Sequence, residues 1–392
     1  MPIGVFVLAV AVFAQGTSEF MMSGLLARTA ADLGVSLGTV GLLTAVYAVG
    51  MVLGAPTMAL TAGRWPLRRS ATTFLAVFCL AHVVGALAGD IPVLVATRVV
   101  AAVANAGFLA IVLAALPTLV GPALIGRATS VVVSGVTVAC VAGVPAGTVL
   151  GQLWGWRSAF WAVALVSAVV LVPVALLLPR AADATAGTSV RAEWAVLGVR
   201  PVRVAAVAGI LVNAATFAGF TYLGTITAAV AGADSGWVPA ALAVFGLGSF
   251  AGVTLTGRFS DRFGPSIITV GTAGLVAVWA LAALTARTTA GVAVMTFVTG
   301  AAAFGVGSAL IATIVRTAAS SAPRLAGALA TTALNIGAIL GPVAAGVVVD
   351  RVGDPVAALW CGAAAAAGAA LIVLADRFGR RPAPTVETAD AC

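Results

Sequence analysis

Apolar runs of about 20 residues recur along the whole chain, parted by short stretches where Gly, Pro and Arg gather. The first six lie at roughly 3–26, 40–62, 70–89, 92–118, 129–151 and 158–179. Six more lie at roughly 204–230, 237–257, 265–286, 289–314, 325–349 and 355–376. Each is long enough to cross a hydrocarbon core of about 30 Å as a helix. Lipid offers no partner to backbone N–H and C=O groups, and the runs lack the alternation of a closed barrel, so every run is expected to be helical. A polar stretch, Arg180 to Arg203, follows the sixth run. The pattern predicts a six-helix bundle at 1–179, a linker at 180–203, a second six-helix bundle at 204–378 and a tail at 379–392. The expected fold class is an all-α integral membrane protein with twelve transmembrane helices.

Composition agrees. Hydrophobic residues make up 62% of the chain, charged residues 8%, and the mean hydropathy is +1.17. A soluble domain is about 25% charged, so the solvent of this chain is the lipid bilayer. Its net charge of +8 comes from arginine alone. With Ala, Gly and Val also abundant, that reflects GC-rich coding more than a nucleic-acid partner, and none is expected. Fifteen arginines fall in the segments that are cytoplasmic if the N-terminus is inside, four in the opposite segments, and Arg98 inside a run. The positive-inside rule then puts both termini in the cytoplasm. Cys79, Cys140 and Cys361 lie in apolar runs and Cys392 is the last residue. No metal or disulfide spacing appears, so neither a metal nor a cofactor is expected. The apolar start at Ile3 has no basic segment before it and reads as a first span, not a cleaved signal.

The halves repeat. A shift of 198 residues lays Tyr47, Gly50, Gly54 and Arg64 on Phe245, Gly248, Gly252 and Arg262. It also lays Gln15 on Asn213, Ser18 on Thr216 and Gly107 on Gly305. Two matching six-span units are how many transporters are built.

Charge within a span is costly and usually functional. Glu19, midway along the first run, and Arg98, in the fourth, stand clearly within the hydrocarbon core. Helical spacing puts Gln15, Glu19 and Ser23 on one stripe and Arg98 and Asn105 on another. Glu19 reads as a proton carrier that Arg98 or a solute switches, or else as half of a fixed Glu–Arg pair orienting two helices. His82 stands alone in the third run and reads as a satisfied core residue. In the second half, Asn213, Thr216 and Tyr222, then Ser308, then Thr331, Thr332 and Asn335, suit hydrogen bonds to a polar solute or between helices.

Two motifs point to a family. Gly257-Arg258-Phe259-Ser260-Asp261-Arg262-Phe263-Gly264 resembles the cytoplasmic loop motif of the major facilitator superfamily. The equivalent loop, Gly63-Arg64-Trp65-Pro66, has Gly63 where the Asp belongs. The fifth run carries Gly143-Val144-Pro145-Ala146-Gly147 and Gly151, similar to the motif that separates exporters from importers in that superfamily. Arg98, seven residues before Asn105-Ala106-Gly107, fits its fourth-helix arginine motif. The segments at Gln15–Met21, Ala104–Leu109, Asn213–Phe217 and Thr332–Gly337 resemble the twelve-helix drug:proton antiporters, above all the chloramphenicol exporters of high-GC bacteria. Ala27-Arg28 departs from that group, whose members often carry Pro and an acid there.

The resemblance implies two pseudo-symmetric six-helix bundles and proton-coupled export of a small amphipathic drug, most simply chloramphenicol. It implies proton coupling at Glu19 and Arg98. A substrate cavity would involve Gln15, Ser23, Asn105, Asn213, Thr216 and Asn335. Asp261 and Arg262, between Gly257 and Gly264, would form a conformational latch. The expected partners are drug, protons and lipid, with the monomer as the working unit. A sugar or metabolite exporter of the same fold is the alternative within the class. A receptor or membrane enzyme is the alternative outside it, and one His with no acid or nucleophile cluster argues against an enzyme.

Overall fold

The computed structural model describes residues 2–61, 66–120, 124–178, 198–232, 236–318 and 325–379. Side chains within helices at 55–61, 114, 115, 117, 118, 125, 126, 130, 260–263 and 325–328 are outside the description. Twelve helical stretches among the described residues are long and apolar enough to cross a membrane. We label them by crossing. α1 is Ile3–Phe20, continued after one residue by Met22–Leu33, and α2 is Leu37–Thr61. α3 is Leu67–Leu87 and α4 is Ile91–Leu119. α5 comprises Ile125–Val138, a π-helical turn Ala139–Gly143 and Val144–Trp154, and α6 is Arg157–Leu177. α7 is Arg200–Ala231. α8 and α9 are the crossings Trp237–Phe259 and Gly264–Thr285 of one helical run. α10 is Thr289–Ala318, α11 Leu325–Val352 and α12 Ala357–Gly379.

Local chemistry sets the helix ends. Asp90 caps α4 by accepting from the Val93 N–H at 2.9 Å, with Pro92 in the first turn, where a missing N–H is harmless. α7 begins at Arg200, before the expected 204, because Pro201 again suits a first turn and Arg200 Nε lies 2.8 Å from Asp376 Oδ1. α1 runs past the expected residue 26 to Leu33 and stops at Gly34 in the left-handed region, φ 64°. Its 31 residues rise about 46 Å, so Asp32 lies beyond the hydrocarbon. There Asp32 accepts from Trp156 Nε1 at 2.9 Å and pairs with Arg157, and both hold its carboxyl below the usual carboxylate range. The Gly155-Trp156-Arg157 turn thus ties the end of α1 to the start of α6.

α1 packs on α5 and α6, α2 on α4, and α4 on α3. In the second half α7 packs on α10, α11 and α12, and α10 on α8 and α9. The 198-residue repeat is visible in these contacts. A Cβ on Gly50 would sit 2.8 Å from the Val99 carbonyl, and one on Gly248 would overlap the Phe297 carbonyl. Gly54 meets Val103 and Gly252 meets Ala301 in the same way. Each pair of contacts is related by the same offset, so both bundles close one backbone crossing with the same glycines. The expected loop after α8 is instead assigned helical throughout. The chain still reverses there: Gly252 and Gly305 bring α8 alongside α10 in parallel, while Gly271 meets Val306 and Gly291 meets Thr285, the antiparallel sense.

The surface is inverted relative to a soluble protein. On α6, Leu165, Val169, Val172 and Leu176 recur every three or four residues and are 66%, 64%, 59% and 67% exposed. That stripe faces lipid, while polar side chains turn inward.

Candidate functional site

The densest buried polar cluster gathers where α1, α2, α3 and α4 meet. Arg98 of α4 is 1% exposed, and Nη1 donates to the Ser18 carbonyl at 2.8 Å and the Ser18 hydroxyl at 2.9 Å. Nη2 reaches the Glu19 carbonyl at 3.4 Å. The guanidinium carbon lies 4.2 Å from the centroid of the Tyr47 ring, a cation–π contact. The Tyr47 hydroxyl accepts from Asn105 Nδ2 at 3.0 Å. On the far side of Ser18, its hydroxyl is 2.6 Å from His82 Nε2. Glu19 faces Tyr47 of α2, Arg98 of α4 and Cys140 of α5. Among the described residues no hydrogen bond or ion pair reaches its carboxylate. Arg98 therefore grips the backbone beside Glu19 and not the carboxylate itself, so the fixed Glu–Arg pair is absent from this conformation.

The remaining residues singled out from the sequence divide. Gln15 is 1% exposed, and neither polar atom of its carboxamide has a hydrogen-bond partner among the described residues. Such a group costs about 1–3 kcal/mol until a solute or water satisfies it. Ser23 lies where α1 crosses α7, its hydroxyl donating to the Phe20 carbonyl at 2.9 Å. Asn213 Nδ2 donates to the Leu334 carbonyl at 2.6 Å, tying α7 to α11. Thr216 and Asn335 bond back to their own helices, at Val212 and Thr331. The structure thus joins Glu19, Arg98 and Asn105 in one cluster and disperses the other five. Of the loop motif, Gly257 is exposed and Gly264 buried, while the side chains of Asp261 and Arg262 lie outside the described residues.

The fifth-helix motif shapes the path of α1. Pro145 cannot donate to the preceding turn, and the five-residue π-helical turn Ala139–Gly143 lies just before it. A Cβ on Gly143 would overlap Thr17 of α1, and one on Gly151 would overlap Leu25. A Cβ on Gly147 would have room, 3.7 Å from Ala159 and 4.0 Å from Met21. Gly143 and Gly151 thus bring α5 close to the helix that carries Glu19.

The bundles meet at the face where α1 ends. Asp350, at the end of α11, accepts from Ser36 Oγ at 2.7 Å and from the Gly38 N–H at 2.9 Å, so it caps the start of α2 from the other bundle. The backbones of α1 and α7 touch at Ser23 and Gly224, and those of α5 and α8 at Cys140 and Gly246. Deeper in, Phe20 of α1 packs on Phe217 and Phe220 of α7, each with centroids 5.9 Å away. Phe220 continues to Phe245 of α8 at 4.7 Å, and Phe245 to Phe304 of α10 at 6.0 Å. Sequence reasoning did not assign this aromatic patch, nor the roles of Ser18 and Tyr47. These residues sit among many apolar neighbours, and only the packing of separate helices brings them together.

Twelve membrane-crossing helices in two related bundles, with a polar cluster sealed between helices and one face closed by contacts across the bundles, define a secondary transporter. The chain belongs to the Major Facilitator Superfamily, whose sequence profile matches residues 8–342. It is 44% identical over 380 residues to a chloramphenicol resistance protein of Streptomyces lividans, covering 96% of this chain and 97% of that one. It is 33% identical to a chloramphenicol efflux pump of Mycobacterium tuberculosis, covering 88% of this chain and 85% of the relative. It is equally 33% identical to an inner membrane transport protein of Escherichia coli, over 88% of each. The fold is that of the nucleoside transporter NupG, with TM-score 0.78, 14% identity and coverage of 95% and 98%. It is also that of an inward-facing bacterial homologue of the lysosomal transporter Spinster, with TM-score 0.75, 18% identity and coverage of 97% and 98%.

Proposed function

We propose that the protein exports chloramphenicol or a close amphipathic drug from a bacterial cell in exchange for protons, by alternating access, as a monomer with both termini in the cytoplasm. The observation that carries the reading is the bare carboxylate of Glu19 beside a cation committed elsewhere. A carboxylate that lacks a fixed partner in a low-dielectric site is free to take up a proton, whereas a tight pair with Arg98 would hold it ionised. The neighbouring aromatic patch suits the aryl ring of the drug, and the unpartnered Gln15 carboxamide and Asn105 suit its polar groups. The relatives named for chloramphenicol resistance and efflux support the choice of drug. With the face at the end of α1 closed, drug reaches the site from the cytoplasm. The units at 1–179 and 204–378 then rock about it, while Asp261 and Arg262, set between Gly257 and Gly264, latch the cytoplasmic side when it shuts.

The test is drug transport by purified protein in liposomes under an imposed pH gradient. Wild type accumulates labelled chloramphenicol against its gradient, and an uncoupler abolishes this. Glu19→Gln, which keeps size and polarity but releases no proton, loses gradient-driven accumulation while still exchanging drug down its own gradient. Full gradient-driven transport by Glu19→Gln would remove the proton-carrier role.

A further inference from the structure

His82 is the one histidine of the chain and is 1% exposed. Its Nδ1 lies 2.7 Å from the Phe78 carbonyl oxygen. A carbonyl only accepts, so Nδ1 carries a proton, and in the neutral ring Nε2 is then an acceptor. The atom that Nε2 faces is the Ser18 hydroxyl oxygen, 2.6 Å away. That oxygen already accepts from Arg98 Nη1 at 2.9 Å. A hydroxyl has one proton and two lone pairs; Tyr47 also bonds to this one, and since Nε2 can only accept, the Ser18 proton goes to His82 and the lone pairs to Arg98 and Tyr47. The chain of donors therefore runs one way, from Arg98 to Ser18, from Ser18 to His82, and from His82 to the backbone of α3.

The other hydroxyls on α1 show what Ser18 does without such a partner. Thr17 turns back to the Phe13 carbonyl at 2.8 Å, Ser23 to Phe20 at 2.9 Å, and Thr29 to Leu25 at 2.9 Å. Back-bonding to the preceding turn is the ordinary fate of a helical hydroxyl. Ser18 is held out of it by the acceptor on α3. If Ser18 turned back, Arg98 Nη1 would lose an acceptor while facing Glu19, whose carboxylate has no hydrogen bond or ion pair among the described residues. A charge-assisted bond to that carboxylate would then win over the carbonyl contacts.

We infer that His82 is a positioning residue of the coupling site: through Ser18 it keeps the donors of Arg98 on the backbone of α1 and off the carboxylate of Glu19. This rests on the reading of Glu19 as proton carrier only for its consequence in transport, not for its geometry. The groups that face Glu19 are Tyr47, Arg98 and Cys140. Those around His82 are Ser18, the rings of Phe78 and Phe160, and the charge of Arg98. Arg98 is common to both, and Tyr47, which faces Glu19, also bonds to the Ser18 side chain, so a change at His82 reaches Glu19 through the groups that meet at Ser18.

The protonation of Glu19 can be read without drug, as the pH at which a hydrophobic carbodiimide, which attacks protonated carboxyls, modifies half of Glu19 in liposomes, followed by mass spectrometry. His82→Phe keeps a ring between Phe78 and Phe160 but has no acceptor. Once Arg98 swings onto Glu19, its half-modification pH falls by about one unit or more. Ser18→Ala reproduces that fall. His82→Gln, whose amide oxygen reaches the place of Nε2, keeps the wild-type value although it cannot titrate. Wild-type behaviour of both His82→Phe and Ser18→Ala would overturn the inference, as would an equal fall in His82→Gln, which would make the imidazole itself the essential group. Should His82→Phe fail to fold, Ser18→Ala decides alone. A shift of modification as expected, in a protein whose Glu19→Gln variant still transports under a pH gradient, would leave the positioning intact and remove only the carrier role.

Discussion

Glu19 and Arg98 stand on packed helices without bonding through their charges, and this governs how each responds to substitution. Removing one partner of a buried ion pair costs about 3–5 kcal/mol. Glu19 has no such bond here, so Glu19→Gln should lower the stability of the purified protein by no more than about 1 kcal/mol. Arg98 is among the largest fully buried side chains and bonds to both the backbone and the hydroxyl of Ser18. Arg98→Leu strips those contacts and should cost about 2–4 kcal/mol. Thermal unfolding of both variants in detergent checks the order. A larger loss in Glu19→Gln than in Arg98→Leu would mean that the two charges are paired after all. Both residues were legible in the sequence, because charge in an apolar run is conspicuous. Their relation was not, because a guanidinium can satisfy itself on backbone carbonyls that no side-chain pattern advertises.

At the scale of helices, glycines decide which elements touch. Gly224 of α7 lies against the Ser23 carbonyl of α1, and that contact belongs to the closed face. Gly224→Leu puts a side chain where backbone now sits, and overpacking of this kind costs about 1–3 kcal/mol. Closure at that face is then disfavoured. In a background with all four cysteines replaced by Ser, Ser23→Cys should be shielded from a membrane-impermeant maleimide. Adding Gly224→Leu should raise its labelling rate by roughly tenfold or more. Unchanged labelling would show that α1 and α7 do not form the seal. The helices were readable from hydropathy to within a few residues at most ends. The long extension of α1 was not, since Asp32, Trp156 and Arg157 are distant in sequence and meet only when α1 and α6 pack.

For the molecule as a whole, exchange of one proton for one neutral drug moves one net charge per cycle. A membrane potential of 100 mV adds about 2.3 kcal/mol for each charge moved. Imposing an interior-positive potassium diffusion potential of that size on liposomes that take up drug should therefore raise the equilibrium drug gradient by on the order of 50-fold. The sign must follow the orientation in which protons enter the negative side. Accumulation that ignores the potential would rule out one-for-one exchange with a neutral drug.

The sequence by itself determined that the chain lives in lipid, crosses it twelve times and is built from two related halves. It did so because backbone hydrogen bonding in hydrocarbon leaves only the helix, and because duplication leaves glycines and charges at a fixed offset. It also marked Glu19 and Arg98. Which groups those two touch, which face is shut, and which aromatic rings pack between the bundles were decided only by tertiary structure. The physical reason is that each depends on pairs such as Ser18 and His82, Ser36 and Asp350, or Phe20 and Phe220. Members of such pairs lie tens to hundreds of residues apart, and their partnership is fixed by the angle and register at which separate helices cross.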